Sequence, residues 1–161
     1  MVDTEALFRI GDAAEEAGDF GLALRSFERG SALGSPECLT RLAYLYDVGV
    51  GVQVDKDLAM KLYQRAWRRN GSTVAAENIA ILYQEVGRYR EMFRWHQRAA
   101  RNGDGSAQLN LAKCYLDGLG VRKDPRLAMR ALAIAEGSIY ITDDEREEAR
   151  ALIEMLKPRL V

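Results

Sequence analysis

An all-α solenoid is the fold class that this sequence predicts, and three observations carry the prediction. First, Gly49-Val50-Gly51-Val52-Gln53-Val54-Asp55 returns 69 residues later as Gly118-Leu119-Gly120-Val121-Arg122-Lys123-Asp124. Second, the flanks return with it. Leu42, Ala43 and Tyr46 match Leu111, Ala112 and Tyr115 ahead of the motif, and Leu58-Ala59-Met60 and Ala66 match Leu127-Ala128-Met129 and Ala135 behind it. A match held at one offset over about thirty residues is an internal repeat. Third, apolar residues lead into the motif at helical spacing, as in Leu39, Leu42, Ala43 and Tyr46. Leucine, alanine and charged residues dominate and proline is scarce, as in helical proteins.

The motif itself reads as helix, tight loop, helix. Glycine ends the leading helix because it reaches positive φ without a Cβ clash. A second glycine two residues later suits a turn that a side chain would obstruct. Asp55 and Asp124 are placed to cap the following helix, and Pro125 suits its first turn.

Taken in order, one repeat domain over residues 1–161 is expected, with repeats at about 4–34, 35–71, 72–104 and 105–138. In the first, Leu7, Ile10, Gly11 and Ala14 run to Gly18, Asp19-Phe20 turns, and Ala23, Phe27 and Gly30 line the second helix. Gly11 and Gly30 fall inside helices, where glycine costs about 1 kcal/mol relative to alanine, so close helix contact is expected there. Ser35-Pro36 opens the second repeat, and Asn70-Gly71 closes it. The third lacks the paired glycines: Val86-Gly87-Arg88-Tyr89 repeats the spacing of Ala17-Gly18-Asp19-Phe20 instead. The fourth runs from about Ser106 to Gly137. Thr142-Asp143-Asp144-Glu145 is a capping-box pattern. It opens a last helix over about 142–157 that would cap the apolar end of the stack.

Over residues 42–66 the pattern Leu-Ala-x-x-Tyr-x-x-Gly-x-Gly-Val-x-x-Asp-x-x-x-Ala-x-x-x-Tyr-x-x-Ala resembles the Sel-one-like repeat, a branch of the tetratricopeptide superfamily. Residues 107–135 match nearly as well, with Ala131-Leu132 in place of the family's aromatic pair, and Trp95-His96-Gln97-Arg98-Ala99-Ala100 resembles its Trp-Tyr-x-Lys-Ala-Ala segment. The resemblance implies a right-handed superhelix of antiparallel helix pairs that holds other proteins. The family pattern contains no catalytic residue.

Composition bounds the function. The chain of 161 residues carries a net charge of −1, so no nucleic-acid partner is expected from the whole-chain balance. It has no apolar run of about 18 residues, so no membrane span is expected, and no membrane partner. The start Met1-Val2-Asp3-Thr4-Glu5 lacks a basic region followed by an apolar stretch, which points to a cytoplasmic protein. Cys38 and Cys114 lie two repeats apart, too far for a disulfide when helix axes are about 8–10 Å apart. They read as reduced, buried or half-buried thiols. One histidine and no Cys-x-x-Cys give no zinc site, and no cofactor or metal is expected.

Candidate chemistry is weak. His96 falls where the resembling repeats carry a packing aromatic. The acids at Asp143, Asp144, Glu145, Glu147 and Glu148 read as a solvated helix start. Gly49-x-Gly51 and Gly118-x-Gly120 follow no strand and lack a P-loop lysine. Arg65, Arg68, Arg69, Arg88, Arg90, Arg94, Arg98 and Arg101 read as a solvated outer face. Packed as the resemblance implies, the first helices would line a concave strip. Its partner-binding candidates are Phe8, Arg9, Asp12, Glu37, Arg41, Tyr44 and Asp47, then Glu77, Asn78, Ile81, Glu85, Leu109, Asn110 and Lys113. Acids outnumber bases on it, with Phe8, Tyr44, Ile81 and Leu109 as apolar anchors. The expected function is non-catalytic protein or peptide binding by a monomeric adaptor or scaffold, through a partner with a basic contact surface. The alternatives are a cytosolic immunity protein that neutralises a toxin, and a client-specific chaperone or regulatory subunit.

Overall fold

A computed structural model describes residues 3–159. Among the described residues the chain forms nine α-helices, a closing 3-10 turn and no strand. They are α1 (Thr4–Glu16), α2 (Phe20–Ala32), α3 (Pro36–Val48), α4 (Lys56–Asn70), α5 (Thr73–Glu85), α6 (Tyr89–Arg101), α7 (Gly105–Asp117), α8 (Pro125–Gly137) and α9 (Asp143–Leu156), with the turn at Lys157–Arg159. The fold is an all-α solenoid. Helices pair as α1 with α2, α3 with α4 and α7 with α8, and α2 also packs on α3, α6 on α7 and α8 on α9. The chain divides into two compact units, Met1–Ala75 and Ala76–Val161, and the division falls inside α5.

Side-chain caps fix the helix starts. Asp3, Asp19, Ser35, Asp55, Asp104 and Asp124 each accept a hydrogen bond from the first turn of the helix they precede. Thr142 and Glu145 form the complete capping box of α9. Pro158 lies in the closing turn, so α9 stops at Leu156, ahead of it.

The two glycine-rich loops solve a second problem beyond the turn. Gly51 and Gly120 both have positive φ, 68° and 70°. A Cβ on Gly51 would lie 2.4 Å from the Cβ of Phe20, the first residue of α2. A Cβ on Gly120 would lie 2.0 Å from the main-chain oxygen of Tyr89, the first residue of α6. Each loop therefore sits on the start of the preceding pair's second helix, and only glycine leaves room for it.

The mid-helix glycines are explained by packing. A Cβ on Gly11 would come within 2.5 Å of the Phe27 ring, and one on Gly30 within 2.3 Å of the Cys38 sulfur. Phe27 and Cys38 are fully buried, so the glycines let α1, α2 and α3 close around them. Both cysteines are buried, unpaired thiols. Burial raises the Cys38 thiol, and burial with the nearby Asp117 and Glu77 carboxylates pushes Cys114 up to about 11.

Candidate functional site

In the unit Met1–Ala75 the first helices α1 and α3 are laced by Arg41. Its guanidinium reaches Glu15 at 2.6 Å and Asp12 at 3.8 Å, and lies 5.4 Å from the centroid of the Tyr44 ring. Tyr44 keeps 37% of its surface in solvent. Arg9 is exposed, with Glu5 3.8 Å away, and the exposed Glu37 accepts from the Ser35 hydroxyl at 3.0 Å. Phe8 is half-buried, its ring centroid 6.0 Å from that of Phe27. Asp47 does not belong on an accessible strip. It is only 7% exposed, receives Lys56 Nζ at 2.5 Å, and accepts from the Tyr63 hydroxyl at 3.4 Å. Burial, and after it the Asp47 charge, raises the Tyr63 phenol, so Tyr63 stays a neutral donor to Asp47.

In the unit Ala76–Val161 the corresponding lacing is built on Glu77. One carboxylate oxygen lies 3.0 Å from His96 Nδ1 on α6, and the other accepts from Asn110 Nδ2 on α7 at 3.0 Å. His96 is buried, as expected of a packing residue, yet it also bonds a carboxylate across helices. Glu77 is thus committed inside the protein and is not a free contact for a partner. Asn78 is half-buried, Glu85 is exposed, and Ile81 exposes 47% of its surface. Leu109 was expected as a surface anchor, but it is 1% exposed and belongs to the core. The cause is α9. Ser106 bonds Glu145 at 2.9 Å and Lys113 bonds Glu148 at 2.8 Å, and Leu109 lies between those two positions at helical spacing. The helix read as an end cap thus stacks as a further first helix. Between α7, the start of α8 and α9 lies a cleft of about 490 Å³, with Leu116, Leu152, Met155 and Leu156 as apolar walls and Asp117 and Glu148 as its acids.

Residues 36–70, 93–104 and 105–130 match the Sel1 repeat. A Sel1 repeat protein from Oxalobacter formigenes superposes with a TM-score of 0.79 over 98% of this chain and 73% of its own, at 21% identity. A protective antigen of uropathogenic Escherichia coli with an SLR fold superposes with a TM-score of 0.75 over 99% and 42%, also at 21% identity. The chain thus carries Sel1 repeats over residues 36–70 and 93–130. The Photosystem I assembly protein Ycf3 of Prochlorococcus marinus is 30% identical over 108 residues, covering 63% of this chain. The chain spans 60% of the length of that protein and 23% of the length of a Neisseria meningitidis relative that is 31% identical over 111 residues.

Within this Sel1-like protein, reading the sequence missed the two residues of α9 that join the first-helix ladder, Glu145 and Glu148, and the cleft walls Leu152 and Met155. A usable signal was present. Glu145, Glu148, Leu152 and Met155 follow helical spacing from a capped start, the same arrangement that places Ser106, Leu109 and Lys113 on α7. No helix among the described residues is long and apolar enough to cross a membrane.

Proposed function

We propose that the chain is a non-catalytic module that binds a protein or peptide partner along the exposed faces of its first helices. The observation that carries this reading is the pair of large apolar side chains, Tyr44 on α3 and Ile81 on α5, held in solvent among polar neighbours. Both keep more than a third of their surface in solvent, and anchors of this kind dominate interface energies. The repeat fold and a relative named as an assembly protein support a scaffold or assembly role. Exposed acids on the first helices, Glu16, Glu85 and Asp117 among them, suit a basic partner, with Met155 in the cleft as a third apolar contact. The buried thiols suit a reducing, cytoplasmic setting.

The test is capture of partners by immobilised protein, followed by dissociation kinetics for each partner found. Tyr44→Ala and Ile81→Ala are expected to speed dissociation at every salt concentration. Glu16→Lys and Asp117→Lys are expected to slow association, most at low salt. Arg94→Glu, on the opposite helices, is expected to leave both rates unchanged. Partners whose binding is lost only with Arg94→Glu would refute the first-helix assignment.

A further inference from the structure

The second helices of the unit Ala76–Val161 present an outward stripe of arginine. α6 carries Arg90, Arg94, Arg98 and Arg101, and α8 carries Arg126 and Arg130, all of them exposed. Spacing of four residues, and of three from Arg98 to Arg101, sets successive arginines about 5–6 Å apart along each helix. The carboxylates of these helices and of the α8 cap are already engaged. Glu91 takes Arg88 at 2.5 Å, Asp124 caps α8 through the Arg126 and Leu127 N–H groups, and Glu136 holds Arg150 at 2.9 Å. The Arg98 guanidinium lies 4.2 Å from the Trp95 ring centroid, which holds it against the helix surface. Sixty-nine residues earlier, Arg25, Arg29 and Lys61 stand where Arg94, Arg98 and Arg130 stand here, whereas Gly21, Asp57 and Glu28 stand where Arg90, Arg126 and Gln97 do. The cations recur, and the acids change places: Glu91 and Glu136 stand here where the first copy has Leu22 and Trp67.

At its C-terminal end the α8 stripe turns apolar. Ile134 is 56% exposed, and in the connector that follows Ile139 is 81% and Tyr140 68% exposed. The Tyr140 carbonyl accepts from the Gly105 N–H at 2.9 Å, so the backbone of the connector is pinned while its side chains stand in solvent. We propose that this face docks on an anionic phospholipid leaflet, with the arginine rows on headgroup phosphates and Ile139 and Tyr140 entering the boundary between headgroups and acyl chains. Guanidinium groups grip phosphate oxygens in pairs. Each cation near an anionic leaflet strengthens partitioning about fivefold, and apolar insertion adds to it. Single-stranded nucleic acid would call for aromatic platforms between the cations. The exposed aromatic residues here stand at the ends of the rows and not between the arginines: Tyr89 is the first residue of α6, 41% exposed, and Tyr140 lies in the connector. The attachment is peripheral, and it uses helices that the protein-binding role leaves unoccupied.

The experiment is co-sedimentation with phosphatidylcholine vesicles, with and without phosphatidylserine. The protein is expected to pellet only with the mixed vesicles and to be released as salt rises. Arg94→Glu combined with Arg130→Glu should weaken that binding at least about 25-fold, at about fivefold per cation removed. Ile139→Ser with Tyr140→Ser should leave low-salt binding in place but lower the salt needed for release. Tyr44→Ala should bind vesicles like wild type. All these positions are exposed, and unchanged helical circular dichroism confirms the variants as folded. Equal pelleting with both vesicle types, indifference to the arginine reversals, or retention of duplex RNA without vesicle binding would each overturn the proposal.

Discussion

The two units repeat one another at an offset of 69 residues, yet they place their buried polar groups at different levels. In the first, Phe8 and Phe27 pack ring to ring, with centroids 6.0 Å apart. In the second, the same two positions are Glu77 and His96, 3.0 Å apart and hydrogen-bonded. The reverse exchange occurs near the loops. Asp47, Lys56 and Tyr63 form a polar trio in the first unit, and the matching Leu116, Pro125 and Leu132 cannot form one. Volume follows the chemistry. Gly11 makes room for Phe27, whereas the smaller imidazole of His96 has the buried Ala80 at the matching place. Gly30 makes room for Cys38, whereas Ala99 matches with Ala107. One backbone plan thus accepts an apolar or a polar joint at a given level, provided that the summed volume is kept and each buried polar atom finds a partner.

The largest expected effect tests what the two units share. Gly120→Ala must displace the Tyr89 backbone and also tolerate positive φ, so a loss of about 3 kcal/mol or more is expected in urea denaturation. Gly51→Ala should cost somewhat less, because it meets the Phe20 side chain. Next comes the joint that distinguishes them. Glu77→Ala strands both His96 and Asn110 and should cost about 2–3 kcal/mol, whereas Phe8→Ala in the other unit should leave Asn110 unaffected. His96→Phe should be relieved by about 1 kcal/mol on adding Ala80→Gly, which recreates the first unit's pairing; additive losses would break the volume argument.

Smaller effects remain. Gly87 has φ 72° but nothing within 4 Å of an added Cβ, so Gly87→Ala should cost only the conformational penalty of about 1 kcal/mol. The smallest is a pH effect at the α9 cap. Partial burial works to raise the Glu145 carboxyl, but the Thr142 N–H and hydroxyl and the Ser106 hydroxyl outweigh it and hold the acid below its ordinary value. A depressed folded-state value means that this contribution is complete above the ordinary carboxylate range and is lost as pH falls through the folded value. Thr142→Ala, expected to cost about 0.5–1 kcal/mol at neutral pH, should flatten that part of the acid titration of stability.

Much of this was legible in the sequence. The helix-loop-helix order, the caps at Ser35, Asp55, Asp124 and Thr142, and the obstructed turns at Gly51 and Gly120 follow from local chemistry that leaves few alternatives. The candidate site was legible only in outline. Tyr44 and Ile81 emerge exposed from helical spacing alone. Leu109 does not, because its burial depends on α9 packing on α7, which spacing within α7 cannot reveal. Asp47 and Glu77 read as surface acids because their partners, Lys56, Tyr63, His96 and Asn110, lie on other helices. A carboxylate's availability depends on what reaches it in three dimensions.

The seating of each glycine loop on the start of the preceding second helix decides where such a chain can be cut and rejoined. A splice between Gly34 and Ser35 leaves every helix whole, yet it parts the Gly51 loop from the Phe20 that it rests on. Recombination one helix pair at a time would keep separating the two halves of that joint. An exchange spanning α1 to α4, or α5 to α8, carries loop and seat together. The transferable module is then two pairs, the length at which this sequence repeats.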